Sequence, residues 1–137
     1  MEDTLISFET AKLAKEKGFN KKVLFSYEYS DKKSFLYCGG VLYNSSKNKY
    51  GYTENLEYNL YNHNSHKKLK VYSAPSQSLL QKWLREKHNI EVYIIPWIYN
   101  NKTVYDFFVN YEGESRAYST YELALESGLL EGLKLIK

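Results

Sequence analysis

Two histidines stand three residues apart in His63-Asn64-Ser65-His66, and a third, His88, follows later in the chain. A zinc site needs three or four ligands drawn from His, Cys, Asp and Glu. The one cysteine, Cys38, is the only thiol available, so the spacing does not build a metal centre. His63-Asn64-Ser65 fits one of the two separated His-x-Ser/Thr pairs of a 2H phosphoesterase, but His66 is followed by Lys67-Lys68 and His88 by Asn89-Ile90. Cys38 beside a histidine could in principle form a nucleophile pair. Its flanks, Phe35-Leu36-Tyr37 and Gly39-Gly40, instead describe a buried strand end, where cysteine acts as a small hydrophobe. Gly39-Gly40 lacks the context of a phosphate loop. Asp106 alternates with Tyr105 and Phe107 and has no second carboxylate at an informative spacing, so acid–base chemistry is not indicated. No catalytic residue, no metal ligand and no cofactor is predicted, and the chain is not expected to be an enzyme.

The chemistry that remains is cationic and aromatic. Lys67, Lys68, Lys70, Lys82, Arg85 and Lys87 fall in the same part of the chain as Tyr58, Tyr61, Tyr72, Trp97 and Tyr99. Ammonium and guanidinium groups neutralise phosphates, and aromatic faces stack planar rings. Tyr72, Trp97, Lys70, Arg85, Tyr61 and Tyr99 are therefore the candidate ligand-binding residues. They suit a small anionic, nucleotide-like ligand, held in a pocket that a homo-oligomer could share. The competing explanation is a charged, solvated face beside a tyrosine-rich sheet.

Composition bounds these readings. The chain has 137 residues, 43% of them hydrophobic, which suits one folded domain rather than a disordered chain. Fifteen tyrosines stand against six phenylalanines and two tryptophans, so tyrosine must share in the packing. Nineteen basic and sixteen acidic residues give a net charge of only +3, too little to argue nucleic-acid binding. The charge is uneven: residues 61–102 carry seven basic and two acidic groups, and residues 103–137 three basic and six acidic. No apolar run approaches the roughly 20 residues of a membrane span, and no signal peptide is recognisable at the acidic start. A cytoplasmic protein without a membrane partner is expected.

The elements that would position these groups follow from pattern and caps. Ser7 reads as the cap of a helix over about 8–17, closed by Gly18 with Phe19 folding back. Val23–Tyr29 and Phe35–Cys38 read as strands across a polar turn. Residues 44–70 are an irregular, Asn-rich insert, and Val71–Ser76 leads into a second helix capped by Ser76, with Leu79, Leu80, Trp83 and Leu84 as its apolar stripe. Glu91–Tyr99 and Thr103–Asn110 form a hairpin, with Ser115–Tyr118 as a third strand. A capping box over Ser119–Glu122 opens the last helix, whose Tyr121, Ala124, Leu125, Leu129, Leu133 and Ile136 should face the core. Gly128 and Gly132 predict close approach of that helix to its neighbour. The fold class predicted is α+β, an antiparallel sheet with about three helices packed on one face. Its parts are residues 1–43, the insert 44–70, and the helix–strand–hairpin–strand–helix unit 71–137.

Three stretches carry a resemblance: Ile6–Phe19 (ISFETAKLAKEKGF), Ser73–Ile90 (SAPSQSLLQKWLREKHNI) and Thr120–Leu129 (TYELALESGL). Together they resemble a group of small accessory proteins from tailed phages and prophages of Bacteroidetes-type hosts, while residues 23–70 fall outside the match. The resemblance implies a soluble protein made in an infected bacterium and carries over no catalytic residue. In that setting the expected function is sequestration of a nucleotide-derived host-defence messenger. The alternatives are an adaptor or inhibitor acting on a host defence enzyme, and, last, a hydrolase using His63 and His66.

Overall fold

The computed structural model describes residues 4–38 and 60–137. Among these there are three α-helices and two antiparallel sheets, an α+β fold. No helix among them is long and apolar enough to cross a membrane. Helix α1 spans Phe8–Glu16. Strands β1 (Phe25–Ser30) and β2 (Lys33–Cys38) form a hairpin, and β3 (Val71–Ser73) pairs with the other edge of β1. Helix α2 (Gln77–His88) leads to a second hairpin, β4 (Val92–Tyr99) and β5 (Lys102–Val109), and α3 (Tyr121–Lys134) ends the fold. The strands thus divide between a three-stranded sheet, ordered β2-β1-β3, and a two-stranded one.

Local chemistry explains the boundaries. Ser7 Oγ accepts from the Thr10 amide at 3.3 Å. At the other end of α1, Gly18 takes φ +91°. The amides of Gly18 and Phe19 donate to the Lys15 and Ala14 carbonyls, which closes α1 in a Schellman motif. Both hairpins turn on two left-handed residues, Asp31-Lys32 and Asn100-Asn101, as the right-handed strand twist favours.

Three segments differ from the sequence reading. Val71–Ser73 is a strand rather than a helix lead-in, because its edge completes β1 through Ser26–Ser73, Tyr27–Tyr72 and Glu28–Val71. Ser115–Tyr118 is not a strand; it touches β5 by a single Tyr105–Tyr118 bridge. Asp106, buried on β5, holds that segment instead. Its Oδ1 accepts from the Arg116 and Ala117 amides at 2.9 and 2.8 Å, and its Oδ2 from the Trp97 indole at 2.6 Å. Burial raises the Asp106 pKa, but these donors and the Ser115 hydroxyl outweigh it and hold the group below the usual 3.8. Tyr121 is 44% exposed rather than in the core: it is the first residue of α3, beyond the packed turns, and its ring meets Tyr105 edge-on at 6.2 Å; the cap is Thr120, whose Oγ1 accepts from the Leu123 amide, not Ser119.

One apolar cluster joins the layers. Ile6, Ala11, Ala14 and Phe19 meet Leu80, Trp83 and Leu84 of α2 and Leu125, Leu129 and Leu133 of α3, over Val92 and Phe107 of the second hairpin. Tyrosine supplements it. Phe8 stacks on Tyr29 at 5.9 Å and meets Tyr27 and Tyr72 edge-on at 5.8 and 5.6 Å, seating α1 against β1 and β3. Glu126 of α3 reaches the start of α1, where its Oε1 accepts from the Ser7 amide at 2.7 Å. It takes the part that a glutamate three residues after the cap plays in a capping box. Burial raises the Glu126 pKa above 4.5, against the pull of the Ser7 amide.

Two predictions follow from this packing. A Cβ on Gly128 would lie 2.8 Å from Val92 Cγ1 and 3.0 Å from Phe107 Cβ, whereas on Gly132 the nearest atom is 3.1 Å away. Gly→Ala gains up to about 1 kcal/mol of helix propensity, and overpacking costs about 1–3 kcal/mol. Gly128→Ala should therefore lower urea stability by about 1 kcal/mol or more, and Gly132→Ala should be closer to neutral. Glu126 makes the second. With its folded pKa raised, its contribution is present below the ordinary 4.5 and fades as pH rises through the folded value. Wild-type urea midpoints should fall relative to Glu126→Gln as pH rises from 4.5; a constant difference would remove this role.

Candidate anion-binding cleft

The side chains that form one basic concavity come from two places. Helix α1 exposes Lys12 and Glu16, and half-buried Lys15 lies one turn beyond buried Ala11 at the edge of that face. Opposite lies the segment 62–72, which runs back from a 3₁₀ turn at His63–Ser65 into β3. Between them is a solvent-open cleft of about 570 Å³, within the usual range for small-ligand sites. Among the described residues its lining holds Lys12, Lys15, Lys67, Lys68 and Lys70 against one carboxylate, Glu16.

The far wall is fixed by buried polar groups. Asn64 Nδ2 donates to the Phe19 carbonyl at 2.9 Å, and its Oδ1 accepts from the Ser73 amide at 2.8 Å. Tyr61 and Val23 exchange two backbone bonds of 3.0 and 2.9 Å. Lys15 closes the wall: its ammonium donates to the carbonyls of His66, Leu69 and Val71 at 2.7, 3.0 and 2.8 Å. That uses all three of its protons. Burial draws the Lys15 pKa below 10.5. Its Nζ also lies 5.0 Å from the centre of the Tyr72 ring.

The rim is less committed. Lys12 sits 5.6 Å from the Phe8 ring and Lys70 5.4 Å from the Tyr29 ring, both exposed cation–π contacts. None of the five lysines has a carboxylate within 4.0 Å among the described residues. The C-terminus of α1 contributes about half a negative charge. With Glu16 that offsets under a third of five ammonium groups, so the cleft stays positive.

The six sequence-nominated residues do not converge. Lys70 and Tyr72 line the cleft. Tyr61 stands beside it, its hydroxyl 3.2 Å from both Ser65 Oγ and His66 Nε2. Arg85 is on α2, 4.0 Å from Glu91. Trp97 and Tyr99 are on β4, their rings 5.6 Å apart, and the Trp97 indole is bonded to Asp106. Tyr58 and residues 44–59 of the insert lie outside the described residues. His63 is buried, with Nε2 3.2 Å from the Val23 carbonyl, so it supports the wall. Sequence reasoning missed Lys12 and Lys15. Their i, i+3 spacing along one side of α1 was the available signal.

A second cavity, about 230 Å³, is lined by Asn20, Lys21, Trp83, Glu86 and Lys87 and is less strongly basic. Comparison with protein-family models, curated proteins and solved structures finds no match for this chain.

Lys15→Met keeps the aliphatic stem and removes the three charged hydrogen bonds. It should cost about 2 kcal/mol in urea unfolding. Hydrogen exchange should speed up at the Tyr29 amide, which donates to the Lys70 carbonyl at 3.0 Å. A loss below about 0.5 kcal/mol, the level of an ordinary surface change, would show that Lys15 does not hold the wall.

Proposed function

We propose that this chain is a non-enzymatic binding module that takes up a small, phosphate-bearing ligand of the nucleotide-derived signalling type in the cleft between α1 and residues 62–72. The observation that carries the reading is the set of five lysines facing one carboxylate around an open space of about 570 Å³. A cationic concavity concentrates anions and speeds their capture. In the setting implied by the resemblance to phage accessory proteins, the ligand is a host-defence messenger and the module withdraws it from its receptor.

One observation favours a second reading, an adaptor that docks on a protein. The outward face of the β4–β5 hairpin is aromatic and apolar: Tyr93 stacks on Phe108 at 5.3 Å, Trp97 packs on Tyr99, and Ile95 is exposed between them. Asp106, the carboxylate on this face, is buried and fully engaged. Such a face suits a protein surface better than an anion.

Thermal unfolding against a panel of cyclic and linear nucleotides separates the two. At a hundredfold excess over Kd a ligand adds about 2.7 kcal/mol, a rise of several degrees. The shift should vanish in Lys12→Gln/Lys70→Gln and persist in Ile95→Lys/Tyr99→Lys. No shift with any compound would remove the anion-binding reading.

A further inference from the structure

We infer that the cleft recognises a chain of linked phosphates and leaves whatever the chain is attached to outside; this rests on the anion-binding reading above and specifies its ligand. Asn64 has both side-chain polar atoms bonded within the protein. Lys15 has spent its three protons on carbonyls. One face of the Tyr72 ring is covered by that same ammonium, and the ring also meets Phe8 edge-on. These three groups therefore offer neither a clear stacking face nor a free hydrogen-bonding edge, and the other neutral polar side chains of the lining are Asn20, Asn62 and Ser65. A nucleobase inserted against Asn64, Lys15 and Tyr72 would lose water and gain little.

The rim offers charge. Lys67 and Lys68 are exposed and have no side-chain partner among the described residues. Lys12 and Lys70 rest on aromatic rings, contacts worth little at exposed sites, so an anion can draw their ammonium groups away. Lys12 stands on one wall and the other three on the opposite wall. A single phosphate, with four oxygens, fills a small part of about 570 Å³, the liquid volume of roughly nineteen waters. Two or three linked phosphates present charge to both walls at once. Lysine, a compact point charge on a flexible stem, suits such a chain better than a fixed planar group.

Calorimetric titration of the full chain at about 0.1 M salt tests this, with sodium tripolyphosphate, orthophosphate, adenosine and adenosine triphosphate as probes. Tripolyphosphate should bind at least about tenfold more tightly than orthophosphate, and adenosine should not bind. Lys67→Gln/Lys68→Gln should fold normally, since neither side chain has a partner to lose among the described residues, and should weaken tripolyphosphate at least about tenfold, with a shallower salt dependence. Adenosine triphosphate up to tenfold tighter than tripolyphosphate points to nucleoside polyphosphates as the source. Tripolyphosphate equal or tighter points to inorganic chains. Adenosine triphosphate more than tenfold tighter, adenosine binding, orthophosphate binding as well as tripolyphosphate, or an unaffected double variant would overturn the phosphate-chain inference while leaving an anion site in place. Silence from all three anions would remove both.

Discussion

A single ammonium group sets the geometry of the basic side of this molecule. Lys15 leaves α1 in its last turn and receives the carbonyls of His66, Leu69 and Val71, which belong to a segment more than fifty residues away. The carbonyls are exposed or half-buried, and the His66 oxygen also receives the Leu69 amide at 3.4 Å. By gathering them, one cation turns an irregular stretch into a wall. The same act consumes its donors, so the lysine that builds the cleft is the one least able to bind in it. Construction and recognition are divided between Lys15 and the rim.

Polar side chains play the same part elsewhere. Asn64 ties the end of α1 to β3 through Phe19 and Ser73. Asp106 gathers the indole of Trp97 and the amides of residues 116 and 117. Glu126 completes the cap of α1 from the far end of the chain. Each joins segments that the sheets alone leave apart, and each is satisfied in large part by backbone groups. Tyrosine fits this scheme: the Tyr27 ring packs beside Phe8 while its hydroxyl donates to the Ile6 carbonyl at 2.7 Å.

How much of this could be read in advance depended on the range of the interaction. The Ser7 and Ser76 caps, the Gly18 closure, the two hairpins and the buried stripe of α2 rest on neighbours in sequence, and they were legible. Val71–Ser73 looked like a helix lead-in because its strand character comes from β1, over forty residues earlier. Ser115–Tyr118 follows the hairpin and was expected as its third strand, yet Asp106 draws the amides of Arg116 and Ala117 away from a ladder. In the site, the lysines near residue 70 stood out by charge. Their partners Lys12 and Lys15 did not, because nothing local reveals that α1 lies across that segment. Trp97 stands on β4, outside the cleft lining, and nothing local in the sequence reveals its bond to Asp106.

The contact of α3 with the second hairpin has a mechanical side. Gly128 and Gly132 lie one helical turn apart, and Val92 fits against both. Sliding the helix by a turn would bring Ala124 into the Gly128 slot, which is too tight for its added carbon. The two notches act as a detent that leaves the helix one axial seat. Under load, α3 would have to lift off the strands rather than creep along them, so slippage between near-equivalent registers is closed to this fold.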